Sequence, residues 1–363
     1  MSLRLINSLE EFQNLEVDWN QLSIQPLRSF DWHIAWWNQF GDGNQLRVYT
    51  WKDKGEIVGI APFFVDRWLG QNRLRFIGGG DTCTDYAEII SQPDCRTKFA
   101  QEIARDISDE NLIQLIELEG VHGSNFDDSL VCALSGSHWR YDVDLEPTWV
   151  IQLPKAWDKF LSDAKGSLRR KIRKAIKRFD KGEVTVQSTR NGLSFDLAFQ
   201  TLVDLHQERF VSKGEPGVFA DSRFTEFLKD ATRRLVETDR AEIIVASDQD
   251  GPFVAHHYLL SEEGPQLYQS GVRISKMNLE PGHLLFTHAV RQAIEDGYPT
   301  FDFLRGNESY KPFWGAAPRD LLKIRMVSNR LSPTAVNQTY RFLRNVKHTC
   351  VGLMNSSRAN PAN

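Results

Sequence analysis

Val272-Arg273-Ile274-Ser275-Lys276-Met277-Asn278-Leu279-Glu280-Pro281-Gly282-His283-Leu284-Leu285 carries the chain from an apolar run into the start of a helix. Gln266–Val272 reads as a strand, and a polar loop follows it. The helix is predicted to begin at Pro281, because proline lacks an amide that the first helical turn would leave unbonded anyway. Gly282 then omits a side chain where free N–H groups point outward. Unsatisfied amides and the helix dipole together favour a phosphate-like anion, and Arg273 and Lys276 add positive charge. A plain surface helix that opens on Pro-Gly has the same local pattern, so both readings stay open at this point.

Just downstream lies Thr300-Phe301-Asp302-Phe303-Leu304-Arg305-Gly306-Asn307-Glu308-Ser309-Tyr310-Lys311-Pro312-Phe313-Trp314-Gly315. Strand alternation puts Phe301 and Phe303 on one face and Asp302 on the other. A carboxylate centred in an apolar strand needs a partner or a task. Either it pairs with Arg305 or Lys311, or it does chemistry. Gly306–Gly315 makes a dense polar and aromatic loop past the strand end, a place where ligands often bind.

Working back along the chain, Ser8-Leu9-Glu10-Glu11 has the form of a capping box and Leu9, Phe12, Leu15, Trp19 and Leu22 follow at helical spacing. A second helix starts after Ser29, carries Trp32, Trp36, Trp37 and Phe40, and stops at Gly41. Strands Leu46–Trp51, Ile57–Val65 and Leu74–Ile77 come next, the first two joined by the turn Lys52-Asp53-Lys54-Gly55-Glu56. An extended piece (Tyr86–Ile90), a helix (Arg96–Ile107) and a strand (Leu112–Leu118) complete the first half. The second half repeats the order: helices Phe195–Phe210 and Ser222–Val236, strands Glu242–Ser247, Phe253–Leu260 and Gln266–Val272, helix Pro281–Asp296, strand Thr300–Leu304. Corresponding elements lie roughly 185–196 positions apart, which points to a duplicated α+β unit.

Composition narrows the classes. The chain has 363 residues, enough for two domains. Lys and Arg number 44 against 48 Asp and Glu, a net charge of −4 that disfavours general nucleic-acid binding. Hydrophobic residues at 41% and charged residues at 25% exclude wholesale disorder. Ten Trp and 22 Phe suit aromatic cores or aromatic-lined clefts. The N-terminal residues lack the apolar stretch of a signal peptide, and no apolar run approaches the roughly 18 residues of a membrane span, so a cytoplasmic protein is expected. Cys83, Cys95, Cys132 and Cys350 are scattered, so reduced thiols are expected rather than a disulfide framework or zinc site.

Two further stretches carry chemistry-bearing residues. His206 and Phe210 share a face of the Phe195–Phe210 helix, whereas His256 and His257, adjacent in a strand, point to opposite faces and cannot hold one metal together. No metal site is predicted. Lys165–Lys181 is an amphipathic basic helix, with Leu168, Ile172, Ala175, Ile176 and Phe179 on one face. Nucleic acid, an anionic lipid surface, an anionic substrate or simple solvation all fit its charge.

These residues carry a resemblance. His206-x-x-Arg209-Phe210 with Lys213-Gly214-Glu215, Pro281-Gly282-x-Leu284-Leu285, and Phe301-Asp302-Phe303-x-x-Gly306-x-Glu308-x-Tyr310-Lys311 resemble the GNAT-superfamily acyltransferases of the cellulose-biosynthesis CelD type, a group related to the Fem-type peptidyltransferases. In the first half Trp32, Trp36 and Trp37, Ile57-Val58-Gly59-Ile60-Ala61-Pro62-Phe63, Phe76-Ile77-Gly78-Gly79-Gly80 and Asp85-Tyr86 look like the same family. The resemblance implies tandem GNAT-like domains, each a mainly antiparallel mixed sheet flanked by helices. The division expected is a degenerate N-terminal domain at 1–153, an acyltransferase domain at 154–330 containing basic helix 165–181, and a helix (Tyr340–Met354) with a polar tail at 331–363. Gln92-Pro93-Asp94-Cys95-Arg96 stands where the second half has Pro281-Gly282 and lacks the glycine, and the Gln/Arg-x-x-Gly-x-Gly loop of GNAT proteins is absent.

The implied activity is direct acyl transfer from acyl-coenzyme A, as co-substrate, to an amine or hydroxyl of a small-molecule or saccharide acceptor, in exopolysaccharide or cell-envelope biosynthesis. The Fem branch instead implies aminoacyl-tRNA as donor, and a non-catalytic GNAT-like subunit of a polysaccharide-synthesis assembly is a third reading. Gly271, Val272, Arg273, Pro281, Gly282, His283 and Leu284 are expected to hold the donor. Asp302 or His257 is expected to take the nucleophile's proton and Tyr310 to protonate the leaving thiolate. His206, Arg209, Glu308 and Lys311 are expected to orient the acceptor.

Overall fold

The computed structural model describes residues 1–110, 112–123, 130–135 and 139–328. The predicted helix Tyr340–Met354, the polar tail and Cys350 lie outside the described residues. In chain order the strands are β1 (Ser2–Ile6), β2 (Gln45–Asp53), β3 (Glu56–Trp68), β4 (Gln71–Phe76), β5 (Ile90–Ser91), β6 (Leu115–His122), β7 (Trp139–Leu145), β8 (Thr148–Gln152), β9 (Thr185–Ser188), β10 (Ala241–Asp248), β11 (Gly251–Ser261), β12 (Gly264–Val272), β13 (Thr300–Arg305), β14 (Ala317–Arg319) and β15 (Leu321–Ser328).

Local chemistry explains several boundaries. The Ser29 hydroxyl accepts from the Trp32 amide at 3.3 Å and starts helix Phe30–Phe40, which stops at Gly41. Lys54 and Gly55 both have left-handed backbone (φ 50° and 96°), the geometry a two-residue hairpin requires between β2 and β3. Ser8 caps a helix as expected, but the helix ends at Gln13 and a second runs from Glu16 to Leu22, so the long helical spacing belongs to two pieces.

The strands form two sheets. One runs β1-β2-β3-β4-β6-β15-β7, with β5 on β3, and the other, taken from its opposite edge, runs β9-β10-β11-β12-β13-β8-β14. Both are antiparallel except at one place, where β6 lies parallel to β4 and β13 parallel to β12. The α+β class and the duplicated order expected from the sequence are therefore what the fold shows. The sequence carried no signal for one feature. β8 precedes the second half yet pairs between β13 and β14, while β15 follows it and pairs between β6 and β7. Each half lends a strand to the other's sheet.

Helices cover both faces of the second sheet. The Pro281–Glu295 helix and the basic Gly166–Asp180 helix cover one, burying Leu168, Ile172, Ala175, Leu285 and Val290 with Phe301 and Phe303. Helices Phe195–Val211 and Ser222–Glu237 cover the other, where they meet the Trp-rich Phe30–Phe40 helix of the first half. Trp32 sits edge-on to Phe227 at 4.9 Å and to Tyr268 at 5.1 Å, so part of the aromatic excess fills the junction between halves. Ionic links cross the same junction. Arg305 bonds Asp85, Glu146 (3.1 Å) and the Thr84 carbonyl (3.1 Å), and Arg240 pairs with Asp31.

Candidate active site

Opposite His257 and Tyr258, β12 contributes Gln269 and Leu267, which leaves Tyr268 as an extra residue, a β-bulge. On its other side β12 shares one registered pair with β13, Gln266 with Asp302, and no further pair follows among the described residues. The sheet opens from that pair, close to the bulge at Tyr268.

On the Pro281 side of the sheet the opening meets a cavity of about 290 Å³. Pro281, Gly282 and His283 form one wall, Ser270 and Val272 another, and Lys171, Arg209, His256 and Tyr310 reach in. No side chain caps the Pro281 helix. Its N-cap residue Glu280 has left-handed backbone (φ 57°) and turns its carboxylate to Lys171 and, at 3.5 Å, Lys174. The first amide bonded back onto the preceding segment is that of Leu284, to the Glu280 carbonyl at 3.1 Å. The amides of Gly282 and His283 are left without a partner among the described residues. A Cβ added at Gly282 would meet only the Phe286 ring, at 3.8 Å, so this glycine is needed neither for packing nor for backbone conformation. The basic helix lies beside the cavity with two of its lysines held by Glu280, and its apolar stripe is docked in the core.

Three of the polar side chains at this cavity bear on its chemistry. Arg209 makes no hydrogen bond or ion pair among the described residues. His256 is buried and neutral, its pKa pushed down to about 3 by burial and then by Arg209, and its Nδ1 lies 2.8 Å from the Tyr258 hydroxyl. Tyr310 stacks on Phe286, and burial followed by the charge of Glu308 raises its pKa, so its hydroxyl keeps its proton at neutral pH.

The remaining predicted residues separate into distinct places. His257 points to the other face, as alternation requires, with Nε2 3.2 Å from Thr232 Oγ1 deep among the helices. It is off the cavity, and of the two strand histidines His256 is the one that lines it; strand alternation marked the two as opposite without showing which faced the opening. Gly271 also faces away. A Cβ there would fall 2.5 Å from the His206 amide nitrogen, so this glycine lets the Phe195 helix pack tightly on β12. His206 is buried, stacked on Phe210 at 4.3 Å, and its pKa is lowered to about 4 by burial. Leu284 packs into the core, and Arg273 does not reach the cavity. Lys276 is held by Asp248 (2.6 Å) and Asp250.

Lys311, expected to orient an acceptor, is almost fully buried and serves the backbone. Its Nζ donates to the carbonyls of Leu304 (3.1 Å), Arg305 (2.8 Å) and Gly306 (3.2 Å) and pairs with Glu308 at 2.9 Å. It fixes the turn that ends β13. Asp302 pairs with neither Arg305 nor Lys311. The Tyr86 hydroxyl donates to its Oδ2 and the Leu304 amide to its Oδ1 at 2.7 Å. It is fully buried on the face away from Tyr310, and desolvation raises its pKa to about 7 despite those two donors. Tyr86 was part of a first-half motif in the sequence, but its pairing with a residue of the second half had no local signature.

Cys83, Cys95 and Cys132 are free thiols. Among the described residues no cluster of three or more His, Cys, Asp or Glu could hold a metal ion, and no helix is long and apolar enough to cross a membrane.

Residues 166–312 match the family model of the acetyltransferase (GNAT) domain, a match that spans the cavity, the Pro281 helix and the turn at Lys311. Among solved structures, FemX is 12% identical, with 91% of this chain and 98% of that one covered and a TM-score of 0.64. A conserved protein of unknown function from Bacteroides thetaiotaomicron VPI-5482 is 10% identical over 90% of this chain and 100% of that one, with a TM-score of 0.55. At such identities the likeness is one of fold. No curated protein is detectably similar in sequence.

Proposed function

We propose that the protein is an acyltransferase that takes acyl-coenzyme A as co-substrate and delivers the acyl group to an amine or hydroxyl by direct attack. The observation that carries this reading is the uncapped start of the Pro281 helix, opening through Gly282 onto a cavity that also holds an unpartnered arginine and a protonated tyrosine. Two free amides and the helix dipole suit the donor's pyrophosphate, and Arg209 supplies a fixed positive charge beside them. The thioester then extends toward the edge of β12 that parts from β13, whose amides polarise its carbonyl as negative charge builds there. The acceptor forms the new bond to that carbon while the carbon–sulfur bond breaks. Tyr310 gives its proton to the leaving sulfur, and Asp302, at the point where β12 and β13 part, takes the proton the acceptor loses.

Calorimetry with acetyl-coenzyme A and longer acyl homologues tests the donor. Saturable binding is expected, lost in Gly282→Trp. In Tyr310→Phe, donor binding should persist while thiol release falls by about 10²–10⁴. Absence of binding for every acyl-coenzyme A removes the reading. One observation favours an aminoacyl-tRNA donor instead: Arg170, Arg173, Lys174 and Lys177 are exposed on the helix beside the cavity. That alternative requires tight binding of charged tRNA with a steep dependence on salt.

A further inference from the structure

His283 is the third residue of the Pro281 helix and forms part of the cavity wall. Its ring Nδ1 lies 2.9 Å from Nε1 of Trp314. An indole nitrogen can only donate, so Nδ1 must receive that proton on a lone pair. A neutral imidazole has one ring proton of its own, and with Nδ1 bare that proton sits on Nε2. The Tyr258 hydroxyl beside His256 Nδ1, by contrast, can donate or accept, so it fixes no tautomer by itself.

A second ring proton would have to bind at Nδ1, where it would meet the indole N–H head-on. The surroundings act in the same sense. Burial, and after it the charge of Lys171, lowers the pKa of His283, and the start of a helix disfavours a cation. Glu280 favours the charged ring, but its carboxylate is held by Lys171 and Lys174. Arg209 and the protonated Tyr310 hydroxyl, at the same cavity, bring no negative charge. Trp314 is almost fully buried, stacked on Phe160 at 6.5 Å and edge-on to Phe286 at 5.8 Å, so the indole is anchored in the core. His283 Nε2 makes no hydrogen bond among the described residues.

We infer that Trp314 is a positioning residue for the cavity: through Nδ1 it holds His283 as a neutral ring that offers its Nε2–H to the ligand, beside the free amides of Gly282 and His283. The start of the helix then presents three donors and no acceptor, which suits a group that can only accept, a phosphate or pyrophosphate. Taking that group to be the pyrophosphate of acyl-coenzyme A rests on the transferase reading above; the state of the His283 ring does not.

Long-range proton–nitrogen NMR of the full chain labelled at histidine reads the ring directly and needs no variant. At pH 7 the wild type should show a bare Nδ1 and a protonated Nε2, and it should gain a second proton only below the ordinary histidine value of about 6.5. Titration with acetyl-coenzyme A and, separately, with inorganic pyrophosphate should shift Nε2 and its proton while Nδ1 stays bare. Trp314→Phe keeps an aromatic ring in the core and removes the indole proton, so His283 should populate both tautomers and protonate at a higher pH than in the wild type. A tryptophan that only filled the core would lower the melting temperature and leave the ring as it was. His283→Leu should weaken acetyl-coenzyme A by about tenfold, and His283→Gln, which restores an N–H near the place of Nε2–H, should bring affinity back to within about threefold of the wild type. A protonated Nδ1 in the wild type, a ring charged at pH 7, or an unchanged ring in Trp314→Phe overturns the inference. If acetyl-coenzyme A binds without moving Nε2, the ligand role of His283 fails and the donor reading stands. If the ring is as described and pyrophosphate moves it but no acyl-coenzyme A binds, the transferase reading fails and the role of Trp314 stands.

Discussion

Gly282→Ala separates a ligand cradle from a structural glycine, because the two make opposite predictions for stability. Gly282 has no left-handed backbone, and its added Cβ meets nothing closer than the Phe286 ring at 3.8 Å. Alanine in a helix is favoured over glycine by roughly 0.5–1 kcal/mol, and the first turn realises only part of that. A gain of about 0.5 kcal/mol corresponds to a melting temperature higher by ~1–2 °C for a large domain. The same methyl occupies the space in front of the free amides of Gly282 and His283, where the donor's phosphates are placed. Affinity should therefore fall by at least about 1.4 kcal/mol, a factor of ten. Differential scanning fluorimetry and calorimetry with acetyl-coenzyme A read the two effects separately. Gly271→Ala is the control, since its Cβ lands 2.5 Å from the His206 nitrogen. Overpacking of that kind costs about 1–3 kcal/mol. A Gly282→Ala protein that melts several degrees lower, or binds the donor as before, refutes the reasoning.

Other substitutions probe the remaining parts. Arg209→Gln breaks no side-chain hydrogen bond or ion pair among the described residues, so its stability should stay within about 0.5 kcal/mol of wild type while donor affinity drops, as calorimetry would show. Asp302, with its pKa raised to about 7 from 3.8, keeps a proton in the folded state that the unfolded chain gives up. Its contribution to stability is therefore lost as pH rises from about 4 to 7, while the buried neutral histidines His33, His206, His256 and His257 act in the opposite sense, so the comparison with a variant that cannot titrate isolates it. Asp302→Asn cannot titrate, so denaturant melts should show its stability relative to wild type increasing across that window. As the proton acceptor, Asp302 should make wild-type activity rise as it deprotonates near pH 7, and the variant should lack that rise. Arg305→Met leaves the buried Asp85 carboxylate unpaired at the junction of the halves and should cost about 3–5 kcal/mol in chemical denaturation.

How much of this could be read in the sequence depended on whether the determining interaction was local. The Ser29 cap, the Lys54-Gly55 turn and the Pro281 start each depend on a few adjacent residues, and their chemistry announced them. The duplication was legible because the order of elements survives where the letters have diverged. Strand exchange was not, since Thr148–Gln152 and Leu321–Ser328 fall outside the repeated order and nothing in a strand names its sheet. The site divides in the same way. Gly282 and Tyr310 were placed by short motifs, and they do meet in one cavity. His257 was preferred over His256 because alternation fixes opposition but not phase. Lys311 was misread because a buried lysine and a substrate-binding one look alike until the carbonyls around it are known. Asp302 takes its hydrogen bond from Tyr86, a partner 216 positions away, which no spacing rule anticipates.

The most direct measurement is amide NMR of the full chain titrated with acetyl-coenzyme A. The Gly282 and His283 amides should shift most, together with those of β12 around Tyr268. Saturation with those two amides unmoved, or shifts confined to the Gly166–Asp180 helix, would contradict this placement of the donor.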